Sequence, residues 1–359
     1  MYEQVRVGVV GTSWWADLFH LPTLKTHSRA EVAAICGRNR ERAKELAKKY
    51  EIPHVFTDYR EMIERGGLQA LVVLTPDDLH YPVTMNALDA GLHVLCEKPL
   101  ALNARQAREM YAKAEAAGVK HMVFFTYRWL PHYRYLKALI DEGYLGRWFH
   151  CHLRYEGGYG RDGQYGWRFD RQRANGVLAD LGAHMIHLAQ WWVGDVTRVT
   201  GHLDTFVDRS DPEAERLDPA NDSASLTVEY ANGAQGTIYV SAIAHVGDRG
   251  QEQEIRLHGE AGTLEANMTN AGVELRGARH NDEHVEILPV PDSIWKGADK
   301  NDMWSVFSTQ SVGARQFIEA ILEDWPVSPN FYDGWKVQAV IDAAIESHRS
   351  GSWISLPRE

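Results

Sequence analysis

Cysteine is scarce in this chain. Its 359 residues hold three, Cys36, Cys96 and Cys151, an odd number at wide spacing. Each sits in a strand-like stretch, which excludes a disulfide framework and suits buried thiols in a reducing, cytoplasmic compartment. Long apolar runs are missing too, so no segment is expected to cross a membrane. Strand-like residues begin at Val5 with no basic stretch before them, and no signal peptide is expected. Positive charge is in deficit: 38 Lys and Arg against 49 Asp and Glu leave a net charge of -11. That balance argues against nucleic acid or an anionic membrane as partner. No linker, repeat or low-complexity segment stands out. The length suits about two domains on a prior of roughly 150 residues each.

The first third alternates strand and helix. Val5 to Val10 is a short apolar strand that runs into Gly11-Thr12-Ser13-Trp14-Trp15-Ala16. This occupies the place of the dinucleotide-binding turn, where glycines let the backbone approach a pyrophosphate at a helix N-terminus. Only the first glycine is present. Ser13 stands in the second place and Ala16, an accepted variant, in the third. The next strand, Glu31 to Cys36, ends in Gly37-Arg38-Asn39-Arg40-Glu41-Arg42. An acid at this tip would bond ribose hydroxyls, whereas an arginine accommodates a 2′-phosphate. The tip carries no acid, and Arg38 and Arg42 favour NADP(H) over NAD(H). The competing reading is a solvated helix start.

Further strands are expected at Val55-Phe56, Ala70 to Leu74, Val94 to Cys96 and His121 to Phe125. Thr75-Pro76 ends one of them, with Asp77 or Asp78 as helix cap and His80 beyond. Gly91 and Gly118 read as helix C-caps, and Asn103 as an N-cap. Glu97-Lys98-Pro99 ends the Val94 strand. A lysine at the carboxyl end of a buried parallel strand is where open α/β sheets bind ligands. Six strands alternating with helices make a doubly wound parallel sheet.

The remainder has a different grammar. A helix is expected from Pro131 to Glu142. Strands are expected at Trp148 to Tyr155, Val196 to Val207, Ala224 to Tyr230, Gln235 to Ala242, Glu252 to His258 and Gly272 to Leu275. Asn232-Gly233 is a hairpin signal and Glu260-Ala261-Gly262 another turn. Helices are expected at Gly176 to Trp192, Ser311 to Glu323 and Trp335 to Arg349. The fold class is therefore α/β: a Rossmann domain over residues 1–125, then an α+β domain with a largely antiparallel open sheet over 126–359. The C-terminal helix is free to pack back on the first domain. A broad sheet face in need of cover points to a homodimer or homotetramer.

Within the second part, Asp180 and His184 stand i and i+4 on an expected helix, with His187 three residues on. Three readings stay open. Asp180 orients a His184 that takes a proton; the three side chains ligate a metal; or the pair is merely structural.

Taken together, the dinucleotide turn, Thr75-Pro76 with His80, Gly91-Leu92-His93-Val94-Leu95-Cys96-Glu97-Lys98-Pro99, Tyr127-Arg128 and Asp180-Leu181-Gly182-Ala183-His184 resemble the Gfo/Idh/MocA family, named after glucose–fructose oxidoreductase and inositol dehydrogenase. The resemblance runs from about Val5 to Trp353 and is looser beyond Gly194. It implies an NAD(P)-dependent oxidoreductase moving hydride between nicotinamide and a secondary alcohol of a sugar, cyclitol or related polyol. It also implies catalytic roles for Lys98, Asp180 and His184, and no metal. Gly11, Thr12, Ser13, Trp14, Arg38, Arg42, Thr75, Pro76, His80, Glu97 and Lys98 would face the cofactor. Tyr127, Arg128, Trp167, Arg168 and His187 would lie near the substrate. Arg128 and Arg168 could equally bind an Asp of the protein. A cis peptide between Lys98 and Pro99 would follow the family habit. Two departures are Ser13 with Trp14 in the turn, and His187 where many members carry Asp. Three alternatives remain: a non-catalytic NADP-binding regulator, a glycoside-cleaving variant with tightly held cofactor, and a metal enzyme.

Overall fold

The structure, a computed structural model, describes residues 3–210 and 217–357. The chain divides into two units. The first comprises Met1–Phe125 and Trp304–Lys336; the second comprises Thr126–Met303 and Val337–Glu359.

The first unit is built on six parallel strands: β1 (Val5–Val10), β2 (Ala30–Cys36), β3 (His54–Phe56), β4 (Ala70–Val73), β5 (His93–Glu97) and β6 (His121–Phe124). Their spatial order is β3-β2-β1-β4-β5-β6. Sequence explains the layering. Every residue of β4, Ala-Leu-Val-Val, is buried, as a strand covered on both faces must be. Helices return the chain between strands. Helix Arg40–Lys49 starts where the Asn39 side chain accepts the Arg42 N–H at 3.0 Å, and buries Ala43, Leu46 and Ala47. Helix Ala104–Ala117 is capped alike by Asn103 and closed by left-handed Gly118. Asp77 and Asp78 sit in a short 3-10 turn leading into helix His80–Asp89, rather than at its cap.

One part of this unit comes from far along the chain. Helix Ala314–Glu323 buries Phe317, Ile318 and Ile321 and packs against β1, β5 and β6. Each such side chain stabilises by about 1.5–3 kcal/mol. That burial holds Trp304–Lys336 on the first unit, although it lies well beyond residue 126.

The second unit is organised by a nine-stranded sheet. Its strands are β7 (Trp148–Gly157), β8 (Val196–Asp204), β9 (Ser223–Tyr230), β10 (Gln235–Ser241), β11 (Gln251–Gly259), β12 (Gly262–Thr269), β13 (Gly272–Arg279), β14 (Glu286–Ile287) and β15 (Ile354–Ser355). The order is β14-β13-β12-β11-β7-β10-β9-β8-β15, and only β7–β10 is parallel. Alternation runs cleanly through β7: Cys151, Leu153, Tyr155 and Gly157 face the core, while His150 faces out. Asn232-Gly233 makes the β9–β10 hairpin, with Gly233 at φ 86° and the Asn232 side chain accepting the Ala234 N–H.

Three strands escape the sequence reading. β14 and β15 are two residues each. β12 does alternate, with Leu264, Ala266 and Met268 buried, but Ala, Asn and Glu are poor strand formers. The expected Gly176–Trp192 helix is two pieces, a π turn over Leu178–Gly182 and an α-helix over Ala183–Val193. Among the described residues, no helix is long and apolar enough to cross a membrane.

Candidate active site

The first set of site residues gathers at the carboxyl ends of β1, β4 and β5. β1 and β4 are neighbours where strand order reverses, the place where open sheets hold a dinucleotide. Gly11 leaves β1 at φ 126°, and its N–H donates to Cys36 O at 2.9 Å. A Cβ there would stand 2.5 Å from Leu74 O, so no other residue fits. Thr12 packs on Gly37, where a Cβ would lie 2.5 Å from Thr12 Cγ2. Ser13 acts as a local cap: its Oγ accepts the Ala16 N–H at 3.3 Å, and its carbonyl accepts the Asp17 N–H at 3.2 Å. Beside them, at the end of β4, Thr75 Oγ1 is buried without a hydrogen-bond partner. A glycine cradle and an orphaned hydroxyl on adjacent strands suit a bound dinucleotide. Trp14 is exposed.

The two arginines differ. Arg42 bonds Asp17 Oδ2 at 2.7 Å and Glu45 at 2.8 Å. Arg38 is exposed just past Gly37 at the tip of β2.

His80 is fully buried. Its ring nitrogens face Pro99 O at 2.7 Å and Thr75 O at 2.9 Å, so it ties the loops after β4 and β5 together. Burial pushes its pKa down, against the pull of the two carbonyls. Pro76 starts the turn between them. The peptide between Lys98 and Pro99 is cis. Glu97 is buried beneath Lys98. Its Oε1 accepts Trp15 Nε1–H and His20 Nε2–H, each at 2.8 Å, and its Oε2 accepts the Lys98 N–H at 3.2 Å. Burial works to raise the Glu97 pKa, but His20, Lys98 and Trp15 outweigh it and hold the carboxyl below its usual range.

The second set belongs to the other unit. Asp180 lies in the π turn and His184 in the first turn of the following helix. Asp180 Oδ2 accepts the Tyr159 hydroxyl at 2.7 Å and pairs with Arg168 Nε at 3.1 Å. Arg168 therefore binds an Asp of the protein, and its guanidinium also lies 4.4 Å from the Trp167 ring. Tyr127 sets the edge of its ring against His184, centroids 4.6 Å apart. Its hydroxyl meets that of Tyr155 at 2.6 Å, and Tyr155 donates to Gln251 Oε1 at 2.6 Å. Burial pushes the Tyr127 pKa up to about 12, so it keeps its proton. Arg128 lies over the Trp191 ring at 4.6 Å. His187 is buried at 3% exposure; burial, then Arg128 and His184, push its pKa well down and keep it neutral.

Sequence reasoning passed over Tyr155, Tyr159, Gln251 and Asn270, which line an open cleft of about 220 Å³ with Leu181 and Gly250. One signal was available: Tyr159 follows Gly157-Gly158 at the end of a strand. Among the described residues, no three His, Cys, Asp or Glu side chains are disposed to hold a metal ion.

Known proteins resemble the chain throughout. Residues 5–125 match the model of an oxidoreductase family with an NAD-binding Rossmann fold, GFO_IDH_MocA, and residues 133–265 match the GFO/IDH/MocA C-terminal domain. A levoglucosan dehydrogenase of Pseudarthrobacter phenanthrenivorans is 27% identical over 90% of this chain and 89% of its own. An NADP(+)-dependent scyllo-inositol 2-dehydrogenase of Bacillus subtilis is 26% identical over 99% and 96%. The structure of a levoglucosan dehydrogenase with NADH and levoglucosan superposes with a TM-score of 0.90 at 26% identity, over 99% of this chain and 100% of the other.

Proposed function

The chain belongs to the Gfo/Idh/MocA family of oxidoreductases, and from that premise we propose the part each site residue plays. It is an NAD(P)-dependent oxidoreductase acting on a hydroxyl group of a sugar or cyclitol. The observation that carries our assignment is Lys98 at the carboxyl end of β5, in a sheet whose first turn admits only glycine at residue 11.

Gly11, Thr12, Ser13 and Thr75 would hold the dinucleotide. When bound, its nicotinamide supplies the redox chemistry. The protein handles the proton. Oxidising a secondary alcohol removes a proton from oxygen as well as hydride from carbon, and an alkoxide in water is costly. His184 accepts that proton as a neutral imidazole, its ring set by Tyr127. Lys98 places an ammonium where charge develops on the substrate oxygen. Glu97 underneath fixes the backbone from which that lysine projects. Asp180, gripped by Arg168 and Tyr159, is held in place to orient substrate and imidazole. In reduction the same groups work in reverse.

The preferred cofactor is NADP(H). Arg38 stands exposed at the tip of β2, while Arg42 is spent on Asp17 and Glu45. We assign the 2′-phosphate contact to Arg38. The enzyme works in the cytoplasm as a homodimer or homotetramer that covers the outer sheet face around His150 and Thr237. Titration with NADPH and NADH, followed by fluorescence, tests the cofactor assignment. Arg38→Ala is expected to weaken NADPH binding about 10- to 100-fold, the loss of a charge-assisted hydrogen bond, and to leave NADH binding alone. Equal effects on both, or on neither, would refute it. Light scattering during gel filtration tests the assembly.

A further inference from the structure

The cleft beside Asp180 has a consistent chemistry. Tyr159 is 46% exposed, yet its hydroxyl is fixed on Asp180 at 2.7 Å. A half-exposed aromatic ring held rigid is a ready platform for the apolar face of a sugar ring. Leu181, next to Asp180, lies against the same space. The polar wall comes from Gln251 and Asn270, both neutral amides. Asn270 is located by its neighbour. Gly250 has φ 68°, and a Cβ there would lie 1.9 Å from Asn270 Nδ2, so the amide occupies the space a side chain at 250 would take. The Asn270 N–H also donates to Arg249 O at 3.0 Å.

Three arginines around the cleft are paired with acids, and a fourth, Arg161 beside Gly158, donates to Ile243 O at 2.9 Å. Arg168 pairs with Asp180 at 3.1 Å, and Arg249, beside Gly250, pairs with Glu252 at 2.7 Å. Arg154, next to Tyr155, meets Glu252 at 3.3 Å and Glu254 at 2.9 Å. A phosphate or carboxylate entering here would displace an acid already paired with its arginine. The volume, about 220 Å³, is below the roughly 300–1,000 Å³ of sites for drug-sized ligands. A space of this size suits a single sugar or cyclitol ring.

We infer that this cleft is the subsite for the non-reacting side of an uncharged monosaccharide or cyclitol, and that Asn270 and Gln251 set specificity against phosphorylated and carboxylated sugars. The inference rests on the dehydrogenase reading above and narrows its substrate. It makes Gly250 a positioning residue, acting through Asn270.

The test measures steady-state oxidation of D-glucose and myo-inositol beside D-glucose 6-phosphate and D-glucuronate, with the intact protein and either cofactor. Neutral polyols are expected to react and the charged pair to react at least tenfold less efficiently. Asn270→Ala should raise KM for the neutral substrate about three- to tenfold, the loss of one hydrogen bond, with the larger effect on KM rather than kcat. Gly250→Ala should do the same by pushing the amide aside, and the two together should not add. Asn270→Lys should move preference toward the charged sugars. NADH affinity, measured alongside, shows that each variant is folded. Wild-type preference for a charged sugar, or an unchanged KM in folded Asn270→Ala, would overturn the inference while leaving the dehydrogenase reading intact. Failure to oxidise any of the four, with NADH still binding, would instead overturn the dehydrogenase reading and this inference with it.

Discussion

Glu97 offers the sharpest energetic test. Its carboxylate is buried and accepts three N–H groups, from Trp15, His20 and the Lys98 backbone. Glu97→Gln keeps the shape and removes the charge. One of its two head atoms becomes an NH2, which faces at least one donor and can accept from none. Breaking a buried charged pair by changing one partner costs about 3–5 kcal/mol. For a domain of this size each kcal/mol shifts Tm by roughly 2–4 °C, so the drop should be about 6–20 °C. The pH dependence is also set. The folded-state pKa of Glu97 is lowered, so its contribution is present above the unfolded carboxylate value. It is lost as pH falls through the folded value. Wild type should therefore lose stability on acidification below about pH 4, and the difference between wild type and Glu97→Gln should shrink there. Urea melts at pH 7 and at acid pH measure this. A double-mutant cycle with His20→Asn should give a coupling above about 1 kcal/mol. A variant within 1 kcal/mol of wild type at pH 7, with the same acid slope, would refute the buried network as a source of stability.

Two further outcomes follow from the same geometry. Lys98→Met should lower kcat about 10²- to 10³-fold, the scale of losing one group that stabilises charge on oxygen, while NADPH titration still shows binding; wild-type turnover in this variant would remove Lys98 from the mechanism. Gly11→Ala must place a Cβ 2.5 Å from Leu74 O at φ 126°, so it should destabilise by about 1–3 kcal/mol and abolish dinucleotide binding, read by thermal melts with and without NADPH.

The parts of the site legible in the sequence are those whose chemistry is local. A strand, its terminating glycine or proline and the next helix start lie within a dozen residues of one another. Gly11, Asn103 and Gly118 each declare a backbone need, and the structure meets it at those positions. Glu97-Lys98-Pro99 is legible for the same reason, whereas its cis peptide is expected from the family resemblance alone. Arg42 shows the limit. Its place on the helix is local, but its ion-pair partner Asp17 stands 25 residues earlier. Spacing alone left Arg38 and Arg42 equivalent.

The spacing of Asp180 and His184 predicts one face of a single helix, but the structure opens that helix with a π turn over Leu178–Gly182. A helix that starts as a π turn rotates its first residues relative to the α-helix that follows. The turn is bound to the sheet by Asn221, whose side chain accepts the Leu178 N–H at 3.0 Å and donates to Asn175 O at 2.8 Å. Gly176 lies against the same residue: at φ 66°, a Cβ there would stand 2.2 Å from Asn221 O. Nothing within the helix sequence announces this, because the constraint comes from a residue some forty positions later. The same holds for Tyr155, Tyr159, Gln251 and Asn270. Each reads as an ordinary strand or turn residue, and only the pairing of β7 with β11 and of β11 with β12 brings them to one cleft. The family resemblance identifies what the enzyme does to a hydroxyl group. Recognition of the rest of the substrate is written in strand register, which distributes the wall of the cleft over more than a hundred residues of chain.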